Sequence, residues 1–277
     1  MSTVVREVNP LEGSEKPYRI IQITDSHLGA SRDQTLLGIN VFQSLELVVE
    51  LVKQEQGQNF DRIIATGDIS CDGSEQSYFD YLELVEAFGQ PVSWLPGNHD
   101  NPAVMANISN ALLQQQKVVD FPGWQIILLN SKIENSPGGR LPKAELALLE
   151  DALQNANGKS SMICLHHPPV LVGCGWMDSQ HLDNDAAFFK LIDQYPRTQL
   201  VLWGHIHQLF DTVRQRVRLL STPSTCHQFE PQQQQFMVGQ QLPGYRWIDL
   251  YPNGQIDTGV SRIKSTPFEI DYLSLGY

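Results

Sequence analysis

The sequence contains few cysteines, and their spacing excludes two classes of protein. Four occur in 277 residues, at Cys71, Cys164, Cys174 and Cys226, and none forms a CxxC pair. A zinc ribbon and a small scaffold held by disulfides both need closely spaced cysteines, so neither fits this pattern. We therefore expect free thiols in a reducing cytoplasm.

Long uninterrupted apolar segments are also lacking. The most apolar stretch, residues 45–52, contains Glu46 and Glu50, and it falls well short of the roughly 18 apolar residues that cross a bilayer. Residues 1–17 lack the basic segment followed by an apolar one that marks a secretory signal. We therefore predict no membrane association and a cytoplasmic location.

Positive charge is scarce as well. Lys and Arg together number 19 against 31 Asp and Glu, which gives a formal net charge of -12. Because binding to a nucleic-acid backbone needs clustered Lys and Arg, we predict that nucleic acid is not a partner. A small anionic ligand remains compatible with this charge if metal ions supply positive charge locally.

The sequence does contain a regular alternation of strand and helix patterns as far as residue 203. Apolar runs predict strands at residues 18–24, 62–66, 92–95, 124–130, 160–165 and 199–203. Helical periodicity predicts helices at residues 38–56, 75–88, 142–155 and 186–195. This alternation predicts βαβ units with parallel strands, whose ligands bind at the carboxyl ends of the strands. Later segments are predicted as antiparallel strands, at residues 209–213, 217–221, 245–251 and 255–263.

Length and composition favour one large domain. Hydrophobic residues make up 41% of the chain, which is ample for a single core. We place the domain at residues 17–264, with a polar lead-in at 1–16 and a tail at 265–277. Residues 172–185 are predicted as a loop that forms either a lid or a subunit contact.

Short motifs follow these predicted strands, and they end in side chains that bind metals. They are Asp25-Ser26-His27, Gly67-Asp68, Gly97-Asn98-His99-Asp100, His166-His167 and Gly204-His205-Ile206-His207. Carboxylate, amide and imidazole donors suit two divalent cations of hard to borderline character. Because the carboxyl ends of parallel strands share one sheet edge, we expect the motifs to converge there.

A centre of two metals that hydrolyses a phosphoester needs a bridging carboxylate, and Asp68 is the natural candidate. The other predicted ligands form one set of three for each metal: Asp25, His27 and His207, and then Asn98, His166 and His205. The amide of Asn98 is neutral, so it leaves the second metal more Lewis acidic than a carboxylate would. His99 extends away from the ion that Asn98 binds, and we assign it to protonation of the leaving oxygen.

Each of these residues also has a purely structural explanation. Asp68 could cap a helix, a lone buried histidine is usually just hydrogen-bonded, and the motif glycines could mark tight turns. The five motifs together use six of the eight histidines, and this conjunction favours a metal centre.

Four neighbouring residues are expected to be peripheral. His167 is predicted either to be structural or to support a metal ligand from behind, and His227 is predicted to lie in a solvent-exposed loop. Asp100 is predicted to cap a helix that begins near residue 102. Trp176 is expected either to pack under its loop or to stack on a purine.

The motif set resembles the calcineurin-like metallophosphoesterase superfamily, whose pattern D-x-H, G-D, G-N-H-[DE], H and G-H-x-H occurs here in full and in order. Further stretches are similar to the bacterial class III 3′,5′-cyclic-AMP phosphodiesterases, at residues 21–28, 94–100, 221–226 and 243–246. The resemblance implies an α/β fold, a four-layer α/β/β/α sandwich of two mixed β-sheets flanked by helices. It also implies two divalent or trivalent metal ions, iron with manganese or else zinc.

The same resemblance implies an activity and roles for individual residues. The activity is hydrolysis of cyclic AMP to 5′-AMP by a bridging hydroxide, with Asp68 and His99 as catalytic residues. The substrate would contact His27, Asp68, Asn98, His99 and His207. Two alternatives remain open: a phosphodiesterase for glycerophosphodiesters or other small linear diesters, and a non-catalytic scaffold that keeps the fold. The sequence does not choose between a monomer and a homodimer.

Overall fold

The computed structural model describes residues 16–108 and 110–276, so the predicted lead-in falls outside this part except for Lys16. The strands are β1 (Tyr18–Gln22), β2 (Thr35–Leu36), β3 (Ile39–Asn40), β4 (Arg62–Ala65), β5 (Val92–Trp94), β6 (Val118–Phe121), β7 (Trp124–Leu128), β8 (Ser160–Cys164), β9 (Thr198–Trp203), β10 (Phe210–Arg214), β11 (Val217–Ser221), β12 (Gly244–Leu250) and β13 (Ile256–Arg262). The helices are α1 (Val41–Gln56), α2 (Glu75–Glu86), α3 (Pro102–Asn107), α4 (Lys143–Gln154), α5 (Gly175–Asp178) and α6 (Asp185–Ile192).

Most strands form two mixed sheets. A five-stranded sheet has the order β13-β12-β1-β4-β5, and a six-stranded sheet has the order β10-β11-β9-β8-β7-β6. The predicted parallel units are present, since β1, β4 and β5 run parallel in the first sheet and β7, β8 and β9 in the second. Strand β11 is antiparallel to β10 but parallel to β9, so the prediction of a purely antiparallel strand there is wrong on one side.

Three hydrophobic clusters separate the layers. One contains Leu45 of α1 and Tyr81 of α2 with the outer face of the first sheet, and a second joins α4 and α6 to the outer face of the second sheet. The third lies between the sheets and includes Ile20, Ile126 and Ile248. Strands buried on both faces need no polar alternation, which is why they are continuous apolar runs in the sequence. The four-layer α/β/β/α sandwich is therefore confirmed.

The first helix is shorter than predicted because it begins later, after an N-capping residue. It begins at Val41, since the side chain of Asn40 accepts a hydrogen bond from the backbone N–H of Gln43. The preceding residues form the small β2-β3 hairpin instead. Strand β6 was not predicted at all.

Two further predictions concern the ends of the domain and the membrane. The tail is attached to the domain, because the backbone N–H of Asp271 donates to the carbonyl of Leu37 at 3.0 Å. The boundaries at residues 17 and 264 stay predictions. In the part of the chain that is described, no helix has both the length and the apolar character needed to span a bilayer.

Candidate metal centre

The predicted motifs lie where the strands of both sheets end. Asp25 follows β1, Asp68 follows β4, and Asn98 follows β5 in the first sheet, while His166 follows β8 and His205 follows β9 in the second. Parallel strands present their carboxyl ends at the same edge, and the two sheets face each other across the third cluster. The fold thus brings residues from both halves of the sequence to one site.

The backbone at these positions is strained. Five of the candidate ligands have positive φ angles: Asp25 (55°), His27 (49°), Asp68 (48°), His205 (65°) and His207 (48°). The left-handed region disfavours residues with a Cβ atom by about 1–2 kcal/mol each. Strain of this kind persists where the surrounding structure enforces it, and it concentrates at functional sites.

Two of the motif glycines are required for space rather than for a turn. A Cβ atom on Gly97 would lie 2.1 Å from Asp68 Oδ1, and one on Gly204 would lie 2.5 Å from Asp25 Oδ2. Real Cβ atoms do not approach other atoms so closely, and neither glycine has a left-handed φ. These glycines therefore make room for the carboxylates of the candidate ligands.

The first predicted set of ligands is assembled and fully buried. The Nε2 atoms of His27 and His207 lie 3.1 Å apart, and His207 Nε2 lies 3.5 Å from Asp25 Oδ1. His207 Nδ1 is 3.0 Å from the carbonyl oxygen of His227. A carbonyl can only accept, so His207 Nδ1 carries the proton and Nε2 presents a lone pair to the centre.

The second predicted set is also assembled. His166 Nε2 lies 3.1 Å from Asn98 Oδ1 and 3.2 Å from His205 Nδ1. On the other side of the ring, His166 Nδ1 donates to the carbonyl oxygen of Thr66 at 2.8 Å, which directs Nε2 toward the centre.

Asp68 lies between the two sets. Its Oδ2 atom is 3.2 Å from His166 Nε2 and 3.9 Å from His27 Nε2. Its Oδ1 atom accepts a hydrogen bond from the backbone N–H of His99 at 2.9 Å. One oxygen therefore faces both sets while the other is fixed by the loop, which is the arrangement that a bridging carboxylate needs.

The charge states of the histidines at the centre differ. Burial holds the pKa of His27 and His205 well below its ordinary value, so both rings are neutral lone-pair donors. Burial also acts against a charge on His166, but the carboxylate of Asp68 outweighs it and raises the pKa to about 9, so a metal ion that binds here would displace a proton from His166. Burial likewise acts against the charge of Asp68, but the adjacent His166 lowers its pKa well below the ordinary value. Carboxylates among imidazoles are a donor set for divalent cations, so these residues fit a pair of metal ions.

A cleft opens on one side of the centre. Its lining includes Asn98 and His99, which are both half-buried, and the aromatic rings of Trp176, Phe229 and Phe236. A ring nitrogen of His99 lies within 4.8 Å of donor atoms of His27 and Asp68. The structure therefore brings His99 to the centre, and its assignment to proton transfer rather than to metal binding stays a prediction.

Two of the peripheral predictions are wrong. Asp100 does not cap α3, because the side chain of Asn101 does so. The Asp100 carboxylate instead accepts hydrogen bonds from the backbone N–H groups of Gly97 and Ser70, so it shapes the loop that carries Asn98. His227 is not exposed: it is 1% accessible, and its ring packs 4.7 Å from that of His207.

The other two peripheral residues lie close to the site. His167 is buried, and its Nδ1 atom hydrogen bonds with Ser131 Oγ at 2.8 Å. Trp176 is half-buried, and its ring lies 4.8 Å from Phe229 and 5.2 Å from Phe236. Trp176 therefore packs on two aromatic residues from outside its loop and also lines the cleft, and its stacking on a purine stays a prediction.

Some residues of the site were not singled out from the sequence. Phe229 stacks on His207 with ring centroids 4.4 Å apart and nearly parallel planes, and Lys132 Nζ donates to the carbonyl oxygen of Asn98 at 2.6 Å. A phenylalanine near a glutamine-rich segment and a single loop lysine carry no distinctive pattern. Only the strand-end position of Lys132, shortly after β7, offered a signal.

Comparisons with known proteins agree with this geometry. A family model described as calcineurin-like phosphoesterase matches residues 18–209. A 3′,5′-cyclic adenosine monophosphate phosphodiesterase of Pseudomonas aeruginosa is 42% identical over 260 residues, covering 93% of this chain and 94% of that protein. The protein of the same name from Escherichia coli K12 is 39% identical over 271 residues, covering 97% and 98%.

A solved structure shows the same fold at much lower sequence identity. A dimetal phosphatase from Danio rerio superimposes with a TM-score of 0.62 at 13% identity, covering 88% of this chain and 99% of that one. The family model covers well over half of the chain, and the two bacterial relatives span nearly all of it. The chain therefore belongs to the calcineurin-like phosphoesterase family.

Proposed function

We propose that this protein hydrolyses 3′,5′-cyclic AMP to 5′-AMP at a centre of two metal ions. The observation that carries the proposal is the convergence of donor atoms from strand ends of both sheets around one carboxylate, Asp68. The bacterial relatives, which match nearly the whole chain, are named for this activity. The proposed metal ligands are those of the two sets and the carboxylate between them: Asp25, His27, His207, Asn98, His166, His205 and Asp68.

The metal pair, as iron with manganese or as zinc, would supply positive charge for the phosphate and a hydroxide nucleophile, because bound water has a much lowered pKa. The protein itself has a net charge of -12 and few basic residues, so an anionic diester needs such a local source of positive charge. The residues proposed to contact the substrate surround this position: His27, Asp68, Asn98, His99 and His207.

We assign the proton transfer to His99. Its backbone N–H is held by Asp68 Oδ1, and its half-buried ring lines the cleft. The 3′ oxygen of the sugar is a poor leaving group, so its departure as an alkoxide requires a proton. A histidine beside the phosphate can deliver that proton at neutral pH.

The cleft favours a nucleotide over a glycerophosphodiester. Its volume is about 320 Å³, which lies within the range of small-molecule sites. Trp176, Phe229 and Phe236 form an aromatic wall beside Asn98, and aromatic rings bind nucleobases by stacking. A glycerol group offers no flat face to such a wall, whereas the quaternary ammonium of choline can pack on aromatic rings, so glycerophosphocholine is the stringent comparison.

The deciding experiment compares kcat/KM for cyclic AMP and for glycerophosphocholine on the purified protein. A clear preference for cyclic AMP is expected, and a preference for glycerophosphocholine would overturn the choice of substrate. Metal content and hydrolysis of bis(p-nitrophenyl) phosphate are measured on the same sample. Protein that contains metal but hydrolyses none of these esters would instead support a scaffold.

A further inference from the structure

A chain of buried side chains connects β12 to the candidate metal centre. Every member is at most 1% exposed, and the members in order are Arg246, Thr222, Gln22, Thr66, Thr24 and Asp25. Arg246 and Gln22 belong to the first sheet, whereas Thr222 follows β11 of the second sheet. The chain therefore crosses the interface between the two sheets before it reaches the centre.

The first links lie between the sheets. Arg246 Nε donates to Thr222 Oγ1 at 3.1 Å, and Thr222 Oγ1 donates to Gln22 Oε1. Gln22 Nε2 donates to the carbonyl oxygen of Trp203 at 3.1 Å. Because that carbonyl can only accept, the amide of Gln22 cannot be flipped, and its oxygen must face Thr222.

The last links lead to the metal centre. Gln22 Nε2 also donates to Thr66 Oγ1 at 2.7 Å, Thr66 Oγ1 to Thr24 Oγ1 at 2.7 Å, and Thr24 Oγ1 to Asp25 Oδ2 at 2.8 Å. The other oxygen, Asp25 Oδ1, accepts from the backbone N–H of His205 at 2.9 Å.

The donor and acceptor groups at the two ends fix the direction of the hydrogen bonds. A guanidinium can only donate and a carboxylate can only accept, so every hydroxyl between Arg246 and Asp25 must donate its hydrogen bond to the neighbour on the Asp25 side. Hydrogen bonds that run in one direction polarise one another and strengthen in a buried environment. The chain thus joins a buried positive charge to a buried negative one.

Within the described residues Arg246 has no acidic side chain in direct contact, and Asp211, which favours its charge from a distance, is paired with Arg218 instead. Arg246 forms no ion pair within residues 16–108 and 110–276, and its other hydrogen bonds are to the Ser221 carbonyl at 2.8 Å and to Thr258 Oγ1 at 3.1 Å. Burial lowers the pKa of Arg246 to about 10, which reflects the cost of keeping a cation away from water. A buried positive charge needs a compensating negative charge. The hydrogen-bonded chain connects the guanidinium of Arg246 to the carboxylate of Asp25.

The packing at the end of the chain leaves room for it. A Cβ atom on Gly204 would lie 2.5 Å from Asp25 Oδ2, 2.8 Å from Thr24 Oγ1 and 3.1 Å from Thr66 Oγ1. Any larger residue at position 204 would collide with the last three side chains of the hydrogen-bonded chain. The glycine of the Gly204-His205-Ile206-His207 motif therefore accommodates the chain as well as the ligand.

We propose that Arg246 is a positioning residue, which acts through this chain to hold the Asp25 carboxylate in its metal-binding orientation. The inference rests on the proposed function only in that Asp25 is taken as a metal ligand. With Oδ2 held by Thr24, Oδ1 stays directed toward His207 Nε2, 3.5 Å away. Groups that hydrogen bond to metal ligands typically change metal affinity by about 10- to 100-fold when they are removed.

The test measures Mn²⁺ binding to metal-free protein, with free Mn²⁺ followed by electron paramagnetic resonance. Thr222→Val has almost the same shape but no hydroxyl, so it interrupts the chain far from the metals. We expect it to weaken Mn²⁺ binding severalfold, less than the roughly 10- to 100-fold that removal of a direct partner of a ligand causes. Thr222→Ser keeps the hydroxyl and loses only a methyl group, and it should bind Mn²⁺ as the unmodified protein does.

A second control separates the chain from the general burial of Arg246. Thr258→Val removes another acceptor of the same guanidinium without interrupting the chain, so Mn²⁺ affinity should not change. If Thr222→Val does not fold, as judged by thermal unfolding of the metal-free protein, the pair Thr66→Val and Thr66→Ser makes the same comparison at a different link.

Two results overturn the inference: equal Mn²⁺ affinity in Thr222→Val and Thr222→Ser, or equal weakening in Thr258→Val and Thr222→Val. The proposed function fails differently, through absence of cyclic AMP hydrolysis while Mn²⁺ still binds and still depends on Thr222. Failure of the unmodified protein to bind either Mn²⁺ or Zn²⁺ would overturn both.

Discussion

The two sides of the candidate metal centre are built differently. Asp25, His27 and His207 are at most 1% exposed, and the hydrogen-bonded chain from β12 reaches Asp25 from between the sheets. Asn98 and His99, by contrast, are half-buried and lie in a loop at the edge of the cleft. The buried side has the rigidity that a fixed metal geometry requires, whereas the open side can admit a substrate.

The open side is held by a small number of contacts to one peptide group. Lys132 Nζ donates to the carbonyl oxygen of Asn98 at 2.6 Å, and the N–H of the same peptide, on His99, donates to Asp68 Oδ1 at 2.9 Å. A cation at the carbonyl end and a carboxylate at the N–H end both favour the observed direction of the peptide dipole. These two contacts fix the peptide group that joins Asn98 to His99, and they add to the hydrogen bonds of Asp100 in the same loop.

The largest effect is expected at the residue that the two sides share. Asp68→Ala removes the oxygen that faces both sets of ligands, so we expect loss of both metals and of activity. Metal content by mass spectrometry checks this. Asp72→Ala, which alters an exposed turn carboxylate nearby, should retain both ions. If Asp68→Ala also retains both ions, Asp68 is not the bridge.

On the open side, His99→Ala should spare the metals and remove the proton donor. We expect kcat for cyclic AMP to fall by about 10²- to 10⁴-fold. The loss should be much smaller for bis(p-nitrophenyl) phosphate, because p-nitrophenolate leaves without a proton. His181→Ala, which removes a loop histidine, is the control and should behave as the unmodified protein. Loss of metal in His99→Ala would show that His99 is a ligand instead.

Lys132→Met tests whether the hydrogen bond from Lys132 Nζ to the carbonyl oxygen of Asn98 orients His99. A hydrogen bond from a charged donor contributes about 1.5–3 kcal/mol, so kcat for cyclic AMP should fall by about tenfold or more. The effect on bis(p-nitrophenyl) phosphate should again be smaller, and Lys132→Arg should recover part of the activity. Lys159→Met removes a lysine that pairs with Asp120 far from the site, and it should change neither rate. Equal losses on both substrates would contradict an effect through His99.

The sequence predicts the ligands but not what supports them, and the reason is physical. Carboxylates and imidazoles in strand-end motifs have few other uses, so their pattern indicates metal chemistry. The supporting residues are threonines, a glutamine, a lysine and an arginine, which occur throughout ordinary proteins. Gln22 and Thr222 are 200 positions apart, and only the packing of one sheet on the other makes them neighbours.

The fold shows the same division. Buried parallel strands are apolar runs, so β1, β4, β8 and β9 could be predicted. The start of α1 depends on one side chain of Asn40, and the burial of His227 depends on contacts with distant residues. Local patterns thus indicate which elements exist, whereas caps and tertiary contacts decide where they end and what they touch.

The smallest effect is expected at the aromatic wall, where the open side meets the proposed base. Phe236→Leu keeps apolar bulk and removes only the ring face. An aromatic contact contributes about 0.5–1.5 kcal/mol, so KM for cyclic AMP should rise by roughly two- to tenfold. Because Phe236 lies outside both sets of ligands, kcat and metal content should not change.

Phe79→Leu is the matched control, since Phe79 is an exposed aromatic residue on α2, and it should leave KM unchanged. A diester that has neither an aromatic ring nor a quaternary ammonium group, such as glycerophosphoglycerol, should also be insensitive to Phe236→Leu. A fall in kcat with KM unchanged would mean that the aromatic wall does not bind the base. It would instead support the metal centre, through the contact of Phe229 with His207. The open side would then be part of the rigid frame, and the contrast between the two sides would be smaller than their burial indicates.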